Sequence, residues 1–153
     1  MRWLELNAWW GLFATAIIIV LFGITDVVSG AAADPAIPLG LTGMTLDELE
    51  AESPTVFMLY DTYTRVNGVG GVLIGLLFSS VLWFGFRGNQ RWAWWTMWLL
   101  PIWALCILVF YLVIGVQPDQ PLPPPMISGP ILAVLCVAIL LVSAPRFFRQ
   151  GPA

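Results

Sequence analysis

Four long apolar stretches constrain this chain more than any other feature. They cover about residues 8–25, 67–86, 93–116 and 130–144. About 20 apolar residues in a helix cross the roughly 30 Å hydrocarbon core of a bilayer. Only 10% of the residues are charged, against roughly 25% in soluble domains. The sequence therefore predicts an all-α integral membrane protein, a four-transmembrane-helix bundle with a long acidic outer loop, as one domain over residues 1–153.

The second stretch belongs to a longer helix that the sequence predicts from Ser53 to Phe86. Ser53 is a favourable N-cap residue, and Pro54 falls at the first helical position, where a missing N–H costs nothing. The polar and small residues of this helix repeat at spacings that place them on one face. That face carries Asp61, Arg65, Gly68, Gly75 and Ser79.

Two connections have recognisable local patterns. The outer loop over residues 27–52 contains Thr45-Leu-Asp-Glu48, whose spacing matches a capping box and predicts a short acidic helix. The loop over residues 117–128 contains five prolines, which favour an extended polyproline conformation. In the third stretch, Pro101 predicts a kink near residues 98–103.

The arginines predict the orientation. Arg65 lies on one side, and the arginines at the other side are Arg2, Arg87, Arg91, Arg146 and Arg149. The positive-inside rule then places both termini in the cytoplasm. We expect the chain to be a multi-pass protein of the inner (plasma) membrane. The outer segment holds most of the acids: Asp26, Asp34, Asp47, Glu48, Glu50, Glu52 and Asp61.

The candidate polar site consists of Asp26, Asp61, Arg65 and Asn67. A lone arginine near the membrane boundary is costly unless it is paired, so we expect Asp61, Asp26 or both to hold Arg65. One interpretation is an ion pair that joins the first two helices. The other is a site for a polar head group, or a general acid beneath the loop.

A helix-packing seam follows the polar residues. Gly68, Gly71, Gly75 and Ser79 form this glycine seam, and small residues at such spacing let helices approach closely. The contact is either within the chain or between copies of it. Cys106 and Cys136 lie in apolar stretches and lack redox spacing, which indicates simple packing.

Composition argues against several functions. The chain has no histidine, the usual haem ligand and the commonest metal ligand, so we expect no metal and no cofactor. It has no basic patch of the kind that binds nucleic acid.

The entry into the second helix, Arg65-Val-Asn-Gly-Val-Gly-Gly71, follows a long outer loop. In these features the chain resembles the small bacterial four-helix membrane proteins of the DoxX-like group. The resemblance implies a four-helix bundle, often without an assigned activity.

Two functions remain open. One is a non-catalytic integral membrane subunit or interaction protein of a larger membrane complex. The other is a small membrane enzyme or binding protein for a lipophilic molecule, with its polar site at the outer face. The expected partners are membrane lipids together with a protein partner or a second copy of the chain, or a lipophilic small molecule.

Overall fold

The structure is a computed structural model that describes the backbone of residues 2–148 and the side chains of residues 7–148. Every regular element in this part of the chain is helical. The α-helices are α1 (Arg2–Ser29), α2 (Ala36–Thr42), α3 (Leu46–Glu52), α4 (Pro54–Ser80), α5 (Arg91–Thr96), α6 (Leu99–Ile114) and α7 (Pro124–Phe148). A 3₁₀ turn follows α1 over Gly30–Ala33, and π-helical turns continue α4 over Val81–Phe86.

Within residues 2–148, four helical segments are long and apolar enough to cross a membrane. They are Asn7–Ala33, Pro54–Phe86, Arg91–Ile114 and Pro124–Phe148. This confirms an all-α chain with four helices of spanning length. All of them except Arg91–Ile114 are longer than the apolar stretches suggested. The last helix begins as early as Pro124, because Pro124 and Pro125 occupy its first turn, where proline needs no N–H partner. At its other end it continues to Phe148.

The four long segments pack in the order α4, α1, α7, α6, with α1 between α4 and α7. At the end that carries Arg87 and Arg91, here called the basic end, α5 closes the bundle by packing against the π-helical turns and α7. The core lies in this half. Its fully buried side chains include Leu12, Leu82, Phe86, Met97, Leu100, Cys136 and Leu140.

The opposite end of the bundle, here called the loop end, is more ordered than the sequence suggested. The connection after α1 begins at Gly30 rather than at residue 27, and it contains α2, which the sequence analysis missed. The expected acidic helix is α3, and its capping box is confirmed: the Thr45 N–H donates to Glu48 Oε2 at 2.8 Å, and the Glu48 N–H donates to Thr45 Oγ1 at 3.3 Å.

Three local expectations have different outcomes. The prediction of an extended loop over residues 117–128 is wrong beyond Pro123, since α7 already begins at Pro124. Ser53 stands at the N-cap of α4, as predicted, but its side chain makes no capping hydrogen bond. Near the kink expected from Pro101, the third span is interrupted between α5 and α6 at Met97 and Trp98.

Candidate functional site

Arg65 and Asp61 form an ion pair one helical turn apart on α4. Arg65 Nε lies 2.8 Å from Asp61 Oδ2, and Arg65 Nη2 donates to Asp61 Oδ1 at 3.3 Å. The acid precedes the base, which is the favourable order for a pair at this spacing. The predicted pairing of Arg65 with Asp61 is therefore confirmed.

The same arginine also binds the end of α1. Arg65 Nη1 donates to the carbonyl oxygens of Val27 at 2.8 Å and of Val28 at 3.0 Å. The last four carbonyls of a helix have no partner within it, and a cation near them also interacts favourably with the helix dipole. One guanidinium therefore joins α4 to the C-terminal turn of α1.

Asp61 completes the connection from its other side. Its Oδ1 accepts the Ala31 N–H at 2.9 Å, so the carboxylate binds both Arg65 and the turn after α1. We call Asp61, Arg65 and the backbone of residues 27–31 the clamp. Two of its hydrogen bonds join Arg65 to Asp61 within α4, and three run from α4 to the end of α1 and the turn after it; together they occupy each of the three guanidinium nitrogens.

Gly30 makes the clamp possible, and the sequence analysis missed it. Its φ is +56°, which favours glycine. A Cβ atom there would overlap Asp61 Oδ1 and lie 2.7 Å from Arg65 Nη2. The available signal was the position of a glycine directly after a helix, where glycine is commonest.

Asp26 lies near the clamp but outside it. It is half-buried on α1, where it packs against Gly68, and it makes no hydrogen bond with the described side chains. It is within electrostatic range of Asp34. Burial raises the pKa of Asp34, and a hydrogen bond from the Ala36 N–H partly opposes that shift. The two carboxylates therefore form a separate acidic pair beside the clamp.

Asn67 occupies a different face of α4. It is exposed and makes no hydrogen bond with the part of the chain that the structure describes. The structure therefore brings Asp61 and Arg65 together, places Asp26 one contact away across Gly68, and leaves Asn67 outside this group.

The glycine seam faces α1 within the same chain. A Cβ atom on Gly68 would lie 2.7 Å from Gly23 O, and one on Gly75 would lie 2.8 Å from Ala16 O. Gly23 is the matching small residue on α1, and sequence analysis did not single it out. At the end of the seam, Ser79 Oγ is buried and has no hydrogen-bond partner among the described residues. Of the two alternatives, the packing is internal.

The remaining polar groups form no metal site in the described residues. No group of three or more histidine, cysteine or acidic residues there is arranged to hold a metal ion. Cys136 is buried in the core, whereas Cys106 is exposed on α6.

The sequence and the structure were compared with protein families, curated proteins and solved structures, and no match was found in any of the three. The resemblance to the DoxX-like group stays a prediction.

Proposed function

We propose that the protein is a non-catalytic integral membrane subunit, or interaction protein, of a larger membrane complex. The clamp is the observation that carries this proposal. Within the candidate polar site, Arg65 and Asp61 bond to each other and to the backbone at the end of α1, so their hydrogen bonds serve the contact between α1 and α4. A group committed to internal bonds is poorly suited to bind a substrate or transfer a proton.

The loop end supplies a preformed surface for a partner. The Gln117 N–H donates to Gly40 O at 2.9 Å, which ties the proline-containing loop to α2. Gly40 also packs closely on Pro123, since a Cβ atom there would lie 2.9 Å from its ring. The capping box fixes the start of α3. A surface ordered before binding loses little entropy when a partner docks.

We place the chain in a bacterial inner membrane with both termini in the cytoplasm. The support is the arginine distribution: Arg87, Arg91 and Arg146 share the basic end, while Arg65 lies at the other. A cysteine at the exposed position Ser128, in a chain whose Cys106 and Cys136 are replaced by alanine, tests this orientation. Outside-applied impermeant reagent should label it; labelling only after permeabilisation contradicts the orientation.

The subunit role is tested by extraction in a mild detergent, followed by size-exclusion chromatography with mass spectrometry. Under the proposal the chain co-migrates with other proteins at stoichiometric ratio. A second extraction with a Gly30→Ala variant, which disturbs the clamp, should yield less of the complex. A chain that migrates alone from native membranes, and retains a lipophilic small molecule, would contradict the subunit role.

One observation favours the alternative, a binding protein or small enzyme for a lipophilic molecule. Asp26 is a half-buried carboxylate that makes no hydrogen bond with the described part of the chain, and Asp34 is close enough to repel it. An amphiphile with a basic or hydroxyl group would relieve both acids. If this alternative holds, a small molecule co-purifies with the protein, and Asp26→Asn abolishes its retention while the melting temperature is maintained.

A further inference from the structure

The basic end holds an exposed arginine that two tryptophans position. Arg87 follows the π-helical turns, and its guanidinium carbon lies 4.9 Å from the ring centre of Trp83 and 5.7 Å from that of Trp9. Cation–π contacts at these distances hold the planar group over the rings. They leave the N–H donors at its edge available to an acceptor.

Two further arginines lie beside the connection between the π-helical turns and α5, residues 87–90. Arg146 Nη2 donates to the Arg87 carbonyl at 2.7 Å, and Arg146 Nε donates to Asn89 Oδ1. Arg91 Nε donates to the neighbouring Phe147 carbonyl at 3.2 Å. Neither Arg87 nor Arg91 forms an ion pair with a carboxylate among the described side chains. We call Arg87 and Arg91 the arginine patch; Arg146 holds the backbone between them through its hydrogen bonds to Arg87 and Asn89.

An apolar groove runs beside the patch between α1 and α7. Its volume is about 560 Å³, within the range of about 300–1,000 Å³ for ligand sites. Asn7 stands among otherwise apolar lining residues, which are Ala8, Trp10, Gly11, Ala138, Ile139 and Val142. Trp10 stacks on Trp9 with ring centres 4.1 Å apart, and Trp9 in turn lies under Arg87. Stacked rings therefore connect the groove to the patch.

We propose that this end binds an anionic phospholipid, with its phosphate on the arginine patch and an acyl chain in the groove. Guanidinium groups match phosphate oxygens in geometry and charge, and basic groups between transmembrane helices bind anionic head groups. The acyl chain would contact the apolar lining of the groove, which begins at Trp10. The site requires the proposed membrane location but not the proposed subunit role.

Native mass spectrometry of the whole protein tests the site. The protein is titrated in detergent with phosphatidylglycerol or with phosphatidylcholine of identical acyl chains. The wild type should retain phosphatidylglycerol more tightly. Arg87→Gln should weaken that lipid about fivefold, and Arg87→Gln with Arg91→Gln about thirtyfold, as expected for one and two interfacial arginines. Neither change should weaken phosphatidylcholine comparably.

Two further variants separate the charge from the groove. Gln117→Glu changes the net charge by the same amount as Arg87→Gln, but at the exposed loop end, so it should leave lipid binding unchanged. Ala138→Leu fills the groove from an exposed position and should weaken both lipids alike. Arg87→Lys, which restores the charge without the planar fork, should recover part of the affinity lost in Arg87→Gln.

Three outcomes would overturn the proposal. Equal retention of the two lipids by the wild type removes the head-group preference. An effect of Gln117→Glu as large as that of Arg87→Gln reduces the preference to net charge. Complete displacement of the lipid by millimolar inorganic phosphate indicates a free-anion site instead. Melting temperatures of all variants identify any that fail to fold, and Arg91→Gln alone then replaces Arg87→Gln in the comparison.

Discussion

Alanine substitutions at Gly68, Gly70, Gly71 and Gly75 of α4 should change stability by amounts that depend on how closely each glycine approaches α1. A Cβ atom on Gly75 would lie 2.6 Å from Val20 Cγ2 and 2.8 Å from Ala16 O. One on Gly68 would lie 2.7 Å from Gly23 O and 2.8 Å from Val27 N. Because backbone atoms are among the obstacles, the helices themselves must move apart. Overpacking of this kind costs about 1–3 kcal/mol.

The two glycines between them are matched controls. A Cβ atom on Gly71 would meet its nearest neighbour, Gly23 Cα, at 3.4 Å, an ordinary contact. A Cβ atom on Gly70 would meet nothing within 4 Å. Both changes to alanine should therefore leave stability close to that of the wild type. Within the seam, a small side chain therefore fits at Gly71 but not at Gly75.

Reversible unfolding in mixed micelles, followed by tryptophan fluorescence, provides the measurement. The free energy of unfolding should fall by about 1–3 kcal/mol for Gly68→Ala and Gly75→Ala, with Gly70→Ala and Gly71→Ala near the wild-type value. The reasoning is refuted if Gly75→Ala is as stable as Gly70→Ala. It is equally refuted if all four variants lose the same amount, since the effect would then reflect glycine itself and not the approach of α1.

Two other changes test the loop end. Thr45→Ala removes an N-cap and should cost about 1 kcal/mol, measured as faster amide exchange confined to α3, whereas exchange throughout the bundle would show that α3 does not open alone. Asp34→Asn should raise the melting temperature at neutral pH. Because the pKa of Asp34 is raised in the folded state, the protonated acid stabilises the fold, and this stabilisation is lost as pH rises through the folded pKa. Asparagine stays neutral at every pH and so avoids the loss. The gain should shrink as pH falls towards the ordinary carboxyl range, and a gain independent of pH would contradict this account.

The sequence predicted elements whose signals are local. Apolar length indicated the four long helices, the spacing of Thr45 and Glu48 indicated α3, and the spacing of Asp61 and Arg65 indicated their pair. Each of these depends on residues within one or two helical turns. Local chemistry therefore predicted the four long helices, α3 and the ion pair of the clamp, but not α2.

What the sequence could not predict depends on how distant segments meet. From the sequence, Arg65 could pair with Asp26 or with Asp61. The rotation of α1 against α4 decides that α1 contributes the carbonyl groups of Val27 and Val28 and not the carboxylate of Asp26. Gly23 becomes important only because Gly68 faces it. The start of α7 was misjudged because a run of prolines is compatible both with an extended segment and with a first helical turn.

We infer that Arg65 and Asp61 join two helices instead of forming a site for a ligand. Their side chains are 43% and 27% exposed, so water weakens the ionic part of the pair. The hydrogen bonds to Val27, Val28 and Ala31 nevertheless link α4 to a different helix end. Removing either partner should therefore lower stability even though the pair is partly exposed.

The test is to measure the melting temperatures of four variants: Arg65→Gln, Asp61→Asn, the double variant that combines these two changes, and Asp26→Asn. We expect each clamp variant to melt earlier than the wild type and the double variant to lose less than the sum of the two, because each single change leaves an unpaired charge. Combining Asp26→Asn with Arg65→Gln should give no such recovery, since Asp26 is outside the clamp. Unchanged melting of Arg65→Gln, together with loss of a bound ligand, would contradict the account and identify Arg65 as part of a binding site.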